Sequence, residues 1–480
     1  MPAVKLPLWV RALDAAAIVA LVLTTFVLLF GGFDVHVSLT PLLRVHSTGR
    51  LLFVTAALLA IRHAAHPATP LHARILDWLR HRGERPAGNA AALALSSRIA
   101  VLFLAYMAVV TIGVDQTSKG FELSGDKLFN LPARFDAGWY GGIALDGYSF
   151  SGDFSRQQNV AFFPAYPMLL RVAGYPIGAF GRGIPKERRM LRLFWGGVIL
   201  SIVAFAWAGA YVWRLARDLI GEPRAFDAVA LLAAYPFAAF YSAPYTESVF
   251  LLGSVAAVYH FRRDEWAKAG AWGLFVGLTR PNGCFLSAVL ACLLAERLWR
   301  ERHRISTFPS ASGNSHISKS LVSAAMPGIG MLAYSAYVKH LTGAFFGWAR
   351  LHEAWGRSYG GLAPVERAYG WITTEGLIHV IEGVPFDTLN SLGLIFALLM
   401  VWPVFRKLGP AMALFVLINA VPPMLAGGAL SIGRLSATLF PLFLALAAVA
   451  PPRVVTAFII AFAAGQGLVA AIFFTWRPLF

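Results

Sequence analysis

The chain has 480 residues, 58% of them hydrophobic and only 14% charged, with a mean hydropathy of +0.63. A soluble domain carries about 25% charged residues, so this composition excludes a protein coated on all sides by water. The net charge of +17 would suggest nucleic acid in a soluble chain. Here the arginines gather in short loops between apolar runs, as cytoplasmic loops of membrane proteins do. No basic stripe alternates with stacking aromatics in a polar segment, which argues against a nucleic-acid partner.

Apolar runs long enough to cross a bilayer recur along the chain. Expected spans fall near 8–30, 50–62, 91–113, 193–212, 225–241, 248–262, 267–279, 284–298, 321–341, 387–405, 409–427, 435–450 and 454–474. The fold class this predicts is an all-α polytopic membrane protein of about 13 transmembrane helices. The first run lacks a small-residue cleavage site and is expected to remain as a span. A further apolar stretch, 161–180, is interrupted by Pro164, Pro167, Gly174 and Pro176, and is either a span or a re-entrant or interfacial piece. Cys284 and Cys292 lie eight apart in one apolar run, a spacing that suits one face of a buried helix better than a metal site or a disulfide framework.

Loop charges orient these spans. The basic loops 62–85, 260–268, 297–304 and 406–407 all fall in the cytoplasm if the N-terminus is also inside. The loop around Asp136 and the turns at Glu247, Arg280 and Arg434 then land on the outer face. Two basic stretches, 182–192 and 214–224, are separated by a single span and cannot both be inside. Placing 214–224 inside leaves 182–192 outside, next to the Asp136 loop. There it either holds anionic lipid headgroups or is an exception to the rule.

The expected organisation is an N-terminal two-span extension with its cytoplasmic loop (1–90), a catalytic transmembrane module (91–300) with outer loop 114–160, a Ser-rich cytoplasmic linker (301–320), and a C-terminal transmembrane module (321–480) with outer loop 343–386. No internal repeat is visible, which weakens a transporter built from repeated halves.

Polar residues that interrupt the apolar background are the candidates for chemistry. In "RFDAGWY", Asp136 sits among aromatics, where partial desolvation would make a carboxylate a better base; it would equally well cap a short interfacial helix. Asp146, further along that loop, is the lesser candidate. In "YPFAAFYSAPYTESVF", Glu247 is an ionisable residue at the outer end of an apolar run, an expensive position, although a first-turn carboxylate also suits a helix dipole. "GLTRPNGCF" places Arg280 and Asn282 at a Pro/Gly break, and "SIGRLSATLFP" places Arg434 similarly. Arginine grips phosphate bidentately, so the outer face offers carboxylates and phosphate grips together. "GWARLHEAWGRSY" (347–359) holds His352 and Glu353 but also suits an interfacial helix without chemistry. The histidines His63, His66, His72 and His81 are interleaved with arginine and fit a solvated face better than a metal site. No P-loop, Rossmann fingerprint or nucleotide-sugar signature is present.

Taken together, "RFDAGWY", "NVAFFPAYP", "YPFAAFYSAPYTESVF" and "TRPNG", spanning 134–283, with "GRLSATLFP" at 433–441, resemble the PIG-V family of mannosyltransferases and its bacterial relatives. That family belongs to the GT-C class of integral-membrane glycosyltransferases. The resemblance implies a GT-C-type bundle with a catalytic first large outer loop and a polyprenyl-phosphate-linked sugar as donor, usually mannose. It also implies inverting transfer at the non-cytoplasmic face of a bacterial inner membrane, to a lipid or envelope-glycan acceptor. Asp136 matches the family's essential acidic residue and would be the general base. Arg280 or Arg434 would stabilise the leaving phosphate. Glu247, with Asn282, would orient acceptor or sugar, or hold a divalent cation, the only cofactor suggested. Arg134, Trp139, Tyr140, Tyr166 and Tyr245 complete the expected substrate-binding set. Two features depart from the family: the Asp136 loop follows the third apolar segment rather than the first, and Leu435 stands where an aromatic is commoner. The rival expectations are another GT-C transferase with a different sugar or acceptor, and a transporter of lipid-linked glycans or solutes without chemistry.

Overall fold

The computed structural model describes residues 7–30, 33–37, 40–45, 48–67, 69–71, 86–303 and 314–479. His72, His81 and the arginines of 72–85, together with residues 304–313 of the Ser-rich linker, lie outside the described residues. The described chain forms two compact units, Met1–Asn89 with Phe180–Ile184, and Ala90–Ala179 with Pro185–Phe480.

Among the described residues, 8 helices are long and apolar enough to cross a bilayer, or up to 9 if a bent pair counts as one span. The protein is an integral, multi-pass membrane protein. The count falls below the 13 expected because hydropathy counts apolar residues and not the breaks between helices. The stretches 248–262, 267–279 and 435–450 fold as Glu247–Arg262, Trp266–Gly277 and Phe440–Val449, helices of 16, 12 and 10 residues. At 1.5 Å per residue these reach only about 24, 18 and 15 Å, short of the roughly 30 Å of hydrocarbon. The stretch 161–180 contains the 10-residue helix Ala165–Gly174, which is also too short to cross.

In the first unit, the helices Leu8–Phe30 and Thr48–Ala65 pack together. The Arg62 guanidinium, 1% exposed, donates to Asp14 Oδ1 at 2.6 Å and to the carbonyls of His66 and Thr69. Neither charge would be tolerated alone in this apolar pair, and each is held by the other. Between the helices lies the one departure from all-α architecture among the described residues, an antiparallel hairpin of Phe33–Val37 and Thr40–Val45. In its first strand Phe33, Val35 and Val37 alternate with Asp34 and His36, a pattern that favours extended backbone over a short stretch.

The second unit is built around Glu247–Arg262, which is buried on nearly every side, as a helix apolar all round must be. The 35-residue helix Lys186–Ile220 runs beside it. The helix Glu222–Ala234 breaks at Tyr235 and bends by 78° into the 3-10 turn Pro236–Ser242. The carbonyls freed by that break are collected by Arg98, which is fully buried. Its guanidinium donates to Ala233 O at 2.7 Å, to Ala238 O and to Gln466 Oε1, while Gln466 Nε2 donates to the carbonyls of Ala233 and Tyr235. A helix end left without partners would be unstable in an apolar interior, so these two side chains make the bend permissible. The bend in turn delivers the chain to Tyr245 and Glu247.

Candidate active site

The motif "RFDAGWY" turns sharply into the helix Ala137–Asp146. Phe135 has φ 40, in the left-handed region a bulky residue rarely enters, and Asp136 occupies the N-cap position without a side-chain capping bond. The helix-cap alternative therefore does not account for this carboxylate. Asp136 Oδ2 instead accepts from Arg434 Nη1 at 2.7 Å. Its backbone N–H donates to the Tyr245 hydroxyl at 3.0 Å, and that hydroxyl donates onward to the Arg134 carbonyl at 3.2 Å. Tyr245 thus fixes the turn that aims Asp136.

Glu247 starts its helix at the first turn, and its side chain is 0% exposed. Its Oε1 accepts from Arg280 Nη1 at 3.2 Å and from Arg434 Nε. Burying a carboxylate costs several kcal/mol, and two guanidiniums offset that cost. Its Oε2 has no hydrogen-bond partner among the described atoms. Asp136, Arg434, Glu247 and Arg280 form one continuous chain of alternating charge. It joins residues separated by as many as 298 positions in sequence.

Two glycines bring the cations in. A Cβ at Gly283 would collide with the Val276 carbonyl, so the "TRPNG" turn closes only with glycine there. A Cβ at Gly433 would collide with the Phe237 ring, so the chain before Arg434 can lie flat against the 236–242 turn. Arg434 then sits over the Tyr245 and Phe240 rings, 4.6 and 5.7 Å from their centroids, which supports a desolvated cation.

The charge chain forms part of the wall of a cavity of about 1060 Å³. Its apolar wall includes Phe121, Phe135, Trp139, Phe162, Phe163, Trp348, Trp355 and Trp476. Trp139 stacks on Phe162 at 5.7 Å and meets Trp355 edge-on at 5.8 Å. Among the described residues, four non-glycine positions have positive φ, and three of them (Phe135, Ser431 and Trp476) line this cavity. Backbone strain held in one place by surrounding packing is a mark of functional sites.

Of the residues expected from sequence, Asp136, Trp139, Tyr140, Arg280, Asn282 and Arg434 line the cavity. Glu247, Tyr245 and Tyr166 stand behind the wall, fully buried. Tyr166 meets Tyr140 edge-on at 5.0 Å. Burial pushes the Tyr140 hydroxyl up to about 12, so at neutral pH it is a donor and not a base. Asn282 Nδ2 donates to Asn419 Oδ1 at 2.7 Å. Arg134 does not reach the cavity. It is 1% exposed and donates to the carbonyls of Phe474, Asn130 and Ala133, tying the loop to the end of the last helix. Asp146 lies outside as well, in an exposed pair with Lys186 at 2.7 Å.

The segment 347–359 contributes more than an interfacial helix. His352 lines the cavity and Glu353 does not. Burial, with the neighbouring Arg357, pushes the His352 imidazole down to about 4, so it is uncharged at neutral pH. Arg357 also lines the cavity, as do Ser431 and Trp476. Sequence reasoning did not single these three out, and the only signal for Arg357 was a cation within an aromatic outer segment. Among the described residues no group of three or more His, Cys, Asp or Glu is placed to hold a metal ion. Glu247, offered by the sequence as a cation ligand, is engaged by two arginines.

Comparison with known proteins adds an independent line. Two GPI mannosyltransferase 2 proteins, from two strains of Cryptococcus neoformans var. neoformans serotype D, are each 29% identical to this chain over 186 residues. The match covers 38% of this chain and 41% of each relative, so the chain spans well under half the length of these relatives. An oligosaccharyltransferase crystal structure from Archaeoglobus fulgidus aligns over 79% of this chain and 53% of its own, with a TM-score of 0.37 and 15% identity. The profile of the mannosyltransferase (PIG-V) family matches residues 93–338, just over half of the 480. That stretch carries Asp136, Glu247 and Arg280, and on this match the chain belongs to the PIG-V mannosyltransferase family.

Proposed function

We propose that the chain is an integral-membrane glycosyltransferase that moves mannose from a polyprenyl-phosphate donor to a lipid or envelope-glycan acceptor. Transfer takes place at the non-cytoplasmic face of a bacterial inner membrane, with inversion and with Asp136 as general base. The observation that supports this reading is the Asp136–Arg434–Glu247–Arg280 chain in the wall of a large aromatic cavity.

Exposure distinguishes the two carboxylates. The Asp136 side chain keeps 20% of its surface open, whereas Glu247 keeps 0%. Only Asp136 can meet an acceptor hydroxyl directly, and Glu247 holds the arginines that position it. Hydrolysis of an ordinary glycoside needs an acid for the departing oxygen as well as a base. A polyprenyl phosphate departs as a stable anion, so one carboxylate suffices. The acceptor hydroxyl gives its proton to Asp136 as its oxygen bonds to the anomeric carbon, and the bond from that carbon to the phosphate oxygen breaks on the opposite side. The positive field of Arg280 and Arg434 favours the anion that leaves. The aromatic wall offers apolar surface to the sugar ring and the first prenyl units.

The test is incubation of the purified protein with radiolabelled polyprenyl-phosphate mannose, with and without candidate acceptors. The reading expects polyprenyl phosphate to be released only when an acceptor is present. A donor carried across a vesicle membrane intact, with no glycosidic bond made, would instead identify a transporter.

A further inference from the structure

The cavity holds one positive charge more than its carboxylates balance. Arg280, Arg357 and Arg434 line it with Asp136, and Glu247 lies directly behind Arg280 and Arg434. Three guanidiniums therefore meet two carboxylates. The salt bridges show which cation is left over. Arg434 binds both Asp136 and Glu247, and Arg280 binds Glu247. Among the described residues no carboxylate lies within ion-pair distance of Arg357. Among the described residues its one side-chain hydrogen bond runs from Nη2 to the Leu430 carbonyl at 3.2 Å, which engages one of the five donors of the fork.

Arg357 is also held in place. Its backbone N–H donates to the His352 carbonyl at 3.2 Å, and three residues on, Gly360 N–H donates to Leu425 O at 2.9 Å. The main chain around Arg357 is thus fastened, and its guanidinium bond to Leu430 ties it to the segment that leads through Ser431 to Arg434. Burial, with Arg434 and Arg280 nearby, pushes the guanidinium down to about 10, so it remains charged at neutral pH. His352 beside it is neutral and does not alter the count.

We propose that Arg357, and not Arg280 or Arg434, is the residue whose guanidinium binds the phosphate of the polyprenyl-phosphate donor, its one unbalanced charge matching the one charge of that linkage. This rests on the transfer function proposed above. A sugar joined to a prenyl chain through one phosphate is a diester with one negative charge, which matches the excess. A diphosphate linkage brings at least two. Arg280 and Arg434 are poorer direct ligands, because both are committed to Glu247, and turning either away halves the charge that offsets a fully buried carboxylate. During transfer the diester becomes a monoester and its charge rises towards two. A fixed, preorganised guanidinium stabilises that developing charge.

The experiment uses the 480-residue chain in nanodiscs and follows tryptophan fluorescence, since four tryptophans line the cavity. The probes are methyl farnesyl phosphate, farnesyl phosphate, farnesyl diphosphate and farnesol. Wild type is expected to bind the monoanionic diester, and farnesyl diphosphate no tighter. Arg357→Ala and Arg357→Gln should weaken diester binding by about ten- to a hundred-fold, the range of one charge-assisted hydrogen bond, with partial recovery in Arg357→Lys. Farnesol binding should change less than two-fold in all variants, which verifies that they are folded. Unchanged diester binding in both Arg357→Ala and Arg357→Gln, or diphosphate binding ten-fold tighter than diester binding, would overturn the proposal. If wild type binds diester through Arg357 but transfers no mannose, the transfer reading falls and the phosphate site stands. If Arg357→Ala transfers mannose at wild-type donor KM and kcat, the phosphate site falls and the transfer reading stands.

Discussion

Arg98 and Arg434 are both buried guanidiniums in the same unit, and their partners differ in kind. Arg98 donates to two backbone carbonyls and a glutamine, all neutral. Arg434 joins two carboxylates and lines the cavity. A cation among carbonyls closes a helix break and ends there. A cation between carboxylates creates a site whose charge can be redistributed when a substrate arrives. Arg134, with three carbonyl acceptors, belongs with Arg98.

Substitutions can break or sharpen this contrast. The largest effect is expected from Arg434→Gln, which releases Asp136 and leaves Glu247 buried beside Arg280 alone. Breaking a buried pair costs about 3–5 kcal/mol, and loss of a preorganised charge at the reacting centre costs about 10²–10³ in rate. Thermal unfolding and transfer per folded molecule should therefore both fall. If only stability fell, Arg434 would join Arg98 as a structural cation. Arg98→Met should do the reverse. It orphans buried carbonyls at about 1–3 kcal/mol each, lowering the unfolding midpoint while transfer per folded molecule stays within two-fold. A large loss of specific activity in that variant would collapse the distinction. The smallest effect is expected from Asp146→Asn. Its pair with Lys186 is exposed on both sides, and such pairs contribute at most about 1 kcal/mol. Unfolding and activity should both match wild type within error.

The sequence made the four members of the charge chain legible because charges in an apolar chain are costly and therefore informative. Placing Asp136, Glu247, Arg280 and Arg434 on one face was enough to expect them near one another, and they converge. It could not say which arginine meets a carboxylate and which meets a carbonyl. Arg134 stands two residues from Asp136, yet its guanidinium points to the end of the last helix. Arg357 was hidden for a related reason. Arg350 and Arg357 read alike in "GWARLHEAWGRSY", but Arg350 lies over the Phe154 ring at 4.2 Å and only Arg357 lines the cavity. The number of spans was overread because apolar runs are cut into shorter helices: Glu222–Ala234 ends at Tyr235, Trp266–Gly277 stops short of Pro281, and Phe440–Val449 begins only after Leu439. Such breaks depend on side chains like Arg98 and Gln466 arriving from other helices to satisfy the backbone.

The central claim is that Asp136 accepts the acceptor's proton. Its most direct test is the transfer rate of an Asp136→Asn protein that inserts normally, measured with polyprenyl-phosphate mannose and a productive acceptor. Removing a general base should lower the rate by about 10²–10⁴ while methyl farnesyl phosphate still binds within a few-fold of wild type. Transfer at the wild-type rate would contradict the assignment.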